Sequence, residues 1–140
     1  MGKAKPMVSP RGSWRILYVS DPSSIATNLF PDPVAAEDLR AWVDMLADSE
    51  VDVFNQEVYS QGWTAYWRTD RFEYDRRAQH ARFLSMFQRG EQPLQVLIDQ
   101  SHKRGMAFVA RFRMNDNHGF QALQQGSVLP ASSSPIPSEH

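Results

Sequence analysis

Apolar residues recur along this chain with two alternating periods. Near-continuous or two-residue patterns mark strands, and returns at three and four residues mark helices. Arg15–Ser20 predicts a short strand, apolar enough to be covered on both faces. Asp21-Pro22-Ser23-Ser24 stops it. Asp32-Pro33 supplies an N-cap followed by proline at the first helical position. Leu39, Trp42, Val43 and Leu46 then form one apolar stripe of a helix.

Val51–Tyr59 predicts a second strand. One face holds Val51, Val53, Asn55 and Glu57; the other holds Asp52, Phe54, Gln56 and Val58. A long connection, 60–75, follows. A helix is expected over 76–89, with Phe83, Leu84 and Phe87 on one side and Gly90 ending it. Pro93 opens another helix with Leu94, Leu97, Ile98 and Ser101 on a stripe, and Gly105 closes it. Met106–Met114 is the third strand.

Strands separated by helical crossovers imply parallel pairing. The fold class expected is therefore α/β, with about three parallel strands. The organisation expected is a flexible leader over 1–13, one domain over 14–120 and a Ser/Pro-rich tail over 121–140 without periodicity, read as disordered.

Composition narrows the function classes. Hydrophobic content of 41% with 22% charged residues is globular. A net charge of -1 offers no electrostatic footprint for nucleic acid or an anionic membrane. No apolar run approaches the length of a membrane span, and residues 1–14 lack the apolar stretch of a secretion signal, so a cytoplasmic setting is the default expectation. The absence of cysteine excludes disulfides and cysteine-ligated metal. Asp116, His118, His80 and His102 show no ligand-type spacing, so neither metal nor cofactor is expected.

The chemistry gathers where strands end. On the third strand Phe108, Ala110, Phe112 and Met114 make an apolar face suited to packing against helices, while Ala107, Val109, Arg111, Arg113 and Asn115 turn from small to charged toward the carboxyl end. A barrel interior behaves this way, filled at one end and chemically active at the other. With the second and third strands in register, Glu57 would lie near Arg111 or Arg113, either as an ion pair that holds the register or as a group that orients a ligand. Asn115, Asp116 and His118 follow. They read equally as a turn or as hydrogen-bonding partners for a hydroxyl-rich ligand. Between Tyr59 and Tyr74, Trp63, Tyr66, Trp67 and Phe72 interleave with charged residues. Flat aromatic faces beside carboxylates suit sugar rings; the alternative is a small local core.

The segments Val51-Asp-Val-Phe-Asn55, Leu94-Gln-Val-Leu-Ile-Asp-Gln-Ser-His-Lys-Arg-Gly-Met106 and Arg113-Met-Asn-Asp-Asn-His118 carry a family resemblance. Asp38–Gly119 resembles the amino-terminal part of the family 10 glycosyl hydrolase-like (β/α)8 barrels, bacterial proteins related to the α-amylase-like barrels. The resemblance implies a partial TIM-barrel-like fold and a carbohydrate ligand. It implies a substrate-contact surface of Glu57, Trp63, Trp67, Arg113, Asn115, Asp116 and His118. The family's catalytic carboxylates come from later strands. This chain is therefore expected to be a truncated piece lacking a complete catalytic pair, and inactive by itself. The alternative is a small non-catalytic binding module, or one that self-associates through open sheet edges.

Overall fold

The computed structural model describes residues 14–60, 64–75 and 77–113. The expected leader and tail, together with Trp63, Asn115, Asp116 and His118, lie outside the described residues. The order is β1 (Leu17–Ser20), α1 (Pro22–Asn28), α2 (Ala36–Asp48), β2 (Val53–Ser60), β3 (Thr64–Ala65), a 3-10 helix (Ala78–Phe83), α3 (Leu84–Gln88), α4 (Pro93–Lys103) and β4 (Ala107–Phe112). β2 is central, with β1 and β4 parallel to it on either side. The fold is α/β with three parallel strands in an open sheet, and the two-residue β3 turns back antiparallel on the end of β2.

Each β-α-β step follows from its local sequence. Asp52 clamps the start of β1, its carboxylate accepting from the Arg15 and Ile16 N–H groups at 2.8 and 2.9 Å. The expected stripe Leu39, Trp42, Val43 and Leu46 is buried on α2. It packs on Phe54 of β2, whose ring meets Trp42 edge-on at 5.0 Å and Phe108 at 5.4 Å. Full burial of a phenylalanine side chain of this kind contributes roughly 1.5–3 kcal/mol. Phe30, Met86, Leu97 and Met106 complete the core between sheet and helices.

The helix ends share one device. In α3 and α4 the residue after the cap is glycine at positive φ, Gly90 at 76° and Gly105 at 75°. Gly105 N–H donates to the His102 carbonyl at 3.0 Å and Met106 N–H to the Ser101 carbonyl at 2.9 Å, the paired closure of a Schellman motif. α2 closes the same way through Glu50, at φ 64°.

Several expectations are corrected. Asp32-Pro33 is a cis peptide upstream of α2, not its first turn. The helix begins where Asp38 reaches back to accept from Ala35 N–H at 2.8 Å. The Asp-Pro signal operates earlier, at Asp21-Pro22. There Asp21 accepts from Ser23 N–H at 3.0 Å and opens α1, where only a stop was expected. The helix expected over 76–89 is a 3-10 turn followed by a short α-helix. β1 is not covered on both faces: Leu17 is 51% and Val19 47% exposed. Ala110 and Phe112 of β4 are exposed rather than packed against helices, and the Phe112 ring instead meets Tyr59 at 6.0 Å and Trp67 at 6.3 Å. No helix among the described residues is long and apolar enough to cross a membrane.

Candidate functional site

Two sets of side chains meet where the parallel strands end. On the face away from the helices, register pairs Leu17 with Val53 and Val19 with Asn55, and pairs Ala107, Val109 and Arg111 with Val53, Asn55 and Glu57. This face is apolar at its amino end and charged at its carboxyl end. Arg111 Nη2 donates to Glu57 Oε2 at 2.7 Å, and Arg113 Nη1 lies 3.8 Å from Glu57 Oε1. Glu57 is 1% exposed. Burial pushes its carboxyl above the usual range. The positive charges of Arg113 and Arg111 pull the other way without cancelling it, because both arginines share their charge with water, while Asp21 adds to the rise. Glu57 Oε1 and the buried Arg111 Nε have no hydrogen-bond partner.

On the helix side the last residue of β1, Ser20, is paired with Gln56. Both are buried, and both line a cavity of about 40 Å³ at the strand tips. Phe30, Leu39, Trp42 and Leu97 wall it, and Glu57, Tyr66, Trp67 and His80 also border it. The Gln56 amide donates to the Glu57 carbonyl at 2.9 Å, leaving its Oε1 without a partner, as is Ser20 Oγ.

A third group closes the site from the aromatic connection. The connection is folded: Ala65 bridges to Tyr74, and Phe72 packs on Tyr59 with ring centres 5.1 Å apart. The expected local core therefore exists, and it presents Tyr66 and Trp67 to the cavity. The Tyr66 ring stacks on His80 at 4.6 Å, and its hydroxyl accepts from Arg77 Nη2 at 2.9 Å. Ser23 Oγ lies 3.2 Å from both the Tyr66 hydroxyl and His80 Nε2. Arg77 holds Asp75 through Nε and Nη2, each at 2.9 Å. Burial pushes the Asp75 carboxyl up, but the Arg77 hydrogen bonds, helped by the charges of His80 and Arg77, bring it below the usual range.

His80 is enclosed, and burial pulls it down to about 4, with Arg77 acting the same way and the carboxylates of Asp75 and Asp21 opposing. The imidazole is therefore neutral near pH 7. Its 4.0 Å approach to Asp75 is a polar contact there, not an ion pair.

Of the residues expected at the site, Glu57 and Trp67 border one cavity, and Arg113 reaches Glu57. Trp63, Asn115, Asp116 and His118 lie outside the described residues. Sequence reasoning missed Ser20, Ser23, Gln56, Asp75, Arg77 and His80. Gln56 and Ser20 occupy ordinary strand positions in the sequence, and Ser23 belongs to the stretch that stops the first strand. Only the charged residues inside the aromatic connection signalled Asp75. Among the described residues no group of His, Asp and Glu is arranged to hold a metal ion. Comparison of the chain with protein-family models, with curated proteins and with solved structures returns no match.

Proposed function

We propose that this chain is a carbohydrate-contacting α/β module, the amino-terminal part of a glycoside hydrolase-like barrel, which holds a sugar at the carboxyl ends of its parallel strands without a complete pair of catalytic carboxylates. The observation that carries this reading is the convergence at one strand tip of Glu57, Gln56 and two aromatic rings, Tyr66 and Trp67. Planar carboxylate and amide groups bind hydroxyls in pairs, and aromatic faces take the C–H face of a sugar ring.

Binding fits better than hydrolysis. Glycoside hydrolysis needs two free carboxyl groups across one bond. Here Asp21 caps α1, Asp75 is held by Arg77, and Glu57 is bound to Arg111. Retention on immobilised glycans tests the proposal: the chain binds, and Trp67→Ala abolishes retention while the melting transition is kept. Trp63→Ala behaves likewise if the expected surface extends over that residue. Retention unchanged in both variants removes the proposal. Turnover of any aryl glycoside by the pure chain refutes the non-catalytic part.

A second reading rests on a separate observation. Leu17, Val19 and Phe112 are each about half exposed, and both outer strands of the open sheet lack a neighbour among the described residues. Such edges pair with other strands. A second copy of the chain, which offers the same apolar residues and the same edges, is the occupant this reading takes.

A further inference from the structure

We infer that two copies of the chain join by antiparallel pairing of their β1 edges, with Leu17 of each copy opposite Val19 of the other. The inference rests on the self-association reading above and not on the carbohydrate one. Half of the large apolar residues exposed among the described residues fall within 14–19: Trp14, Ile16, Leu17 and Val19. An apolar patch concentrated in this way marks an interaction surface. Edge strands that stay unpaired are blunted by charge, proline or a bulge. β4 carries Arg111 and is followed by Arg113, whereas β1 has no charged residue, no proline and no break in its register. The chain's net charge of -1 sets no long-range repulsion between copies.

The backbone fixes which residues can face each other. Leu17 stands opposite Val53, and Val53 N–H donates to the Ile16 carbonyl at 3.2 Å. In a parallel ladder Val53 therefore bonds to the neighbours of Leu17, and the N–H and C=O of Leu17 itself turn to the free edge. Two residues on, Val19 turns the same way. A two-fold axis perpendicular to the sheet keeps the helices of both copies on one face and makes the two edge strands antiparallel. Outward-turned residues then face outward-turned residues. Of the registers this permits, only Leu17 opposite Val19 gives both side chains apolar partners, on the face away from the helices. Shifted one way, Val19 meets Arg15; shifted the other, Leu17 meets Asp21. The chosen register also sets Arg15 opposite Asp21 of the other copy, residues of opposite charge.

The chain has no cysteine, so an introduced thiol reports one contact. Size-exclusion light scattering of the parent chain gives a dimer at high concentration. Leu17→Cys and Val19→Cys, each checked for an unchanged melting transition, are then mixed in equal amounts and oxidised. Residues directly opposite in such a pair have Cα atoms about 5.5 Å apart, within disulfide reach, while Leu17 to Leu17 is a diagonal of about 7–8 Å. The mixed disulfide takes nearly all of the linked product, against the half share that random collision gives. A dimer whose mixed share stays at half, or one linked instead through Ala110→Cys on β4, overturns the inference and leaves the association reading standing. So does an assembly that grows beyond two copies, the mark of a head-to-tail contact. A monomer at every concentration overturns both.

Discussion

Glu57 and Arg111 stand directly opposite each other on neighbouring parallel strands, and the arginine donates to the carboxylate at 2.7 Å. The pair is lopsided: the glutamate side chain is 1% exposed and the arginine 38%. The carboxylate has been taken from water, and its partner has not. Removing each side therefore has different consequences. Arg111→Met leaves a buried carboxylate with one partner fewer, and the expected loss is about 2 kcal/mol by urea denaturation at pH 7. Glu57→Gln removes the buried charge, keeps an acceptor for Arg111, and costs less than half as much. Equal losses in the two variants would show that the pair is no more than a surface contact.

His80 makes folding sensitive to acid. Its folded value of about 4 lies below the ordinary 6.5, so the unfolded chain binds a proton that the folded one refuses. Its contribution is complete above about pH 6.5 and lost as pH falls toward 4, about 3 kcal/mol over that window. Asp75, depressed by Arg77, loses its contribution in the same direction at still lower pH, while the raised Glu57 acts oppositely. The groups facing the imidazole are Asp75, Arg77, Asp21, Ser23, Tyr66 and Tyr74. His80→Gln should flatten stability between pH 6.5 and 4.5 in urea titrations. An unchanged slope assigns the acid sensitivity elsewhere.

Glu50 closes α2 at φ 64°, the position that glycine fills after α3 and α4. A side chain there costs about 1 kcal/mol relative to glycine. Glu50→Gly is expected to raise stability by up to about 1 kcal/mol, less the extra freedom given to the unfolded chain. A fall in the urea midpoint would contradict the shared closure of the three helices.

Leu17 and Val19 contribute little to the core at about half exposure, yet they are the exposed apolar residues of β1 on the face away from the helices. The double substitution Leu17→Lys, Val19→Lys should leave the melting transition within a few degrees of the parent and convert any associated species to monomer in size-exclusion light scattering. A parent chain that is already monomeric at high concentration removes the self-association reading.

Most of the framework was legible because it is local. The apolar stripe of α2, the proline that opens α4 and the glycines that close α3 and α4 act within a few residues of themselves, and all appear where expected. The opposition of Glu57 and Arg111 was legible for a different reason: strand alternation places both on one face once the two strands are neighbours. Asp32-Pro33 misled because it carries the same cap-and-proline chemistry as Asp21-Pro22. Which of the two opens a helix depends on where the chain is tied. Val34 N–H donates to the Arg82 carbonyl at 2.9 Å, which commits that stretch to a loop.

By itself the amino-acid order determined the alternation of strands and helices, the parallel sheet that follows from it, and the face on which the charged strand ends fall, since these depend on periodicity and short-range sterics. The tertiary structure alone decided that Ser23, Tyr66, Asp75, Arg77 and His80 share one part-buried cluster. It also decided that Ser20 and Gln56 sit beside a cavity. Ser23 and His80 are 57 positions apart, and their 3.2 Å contact arises only when α1 and the 3-10 helix fold against the same end of the sheet. No local rule encodes such a meeting, because it depends on the packing of the whole chain.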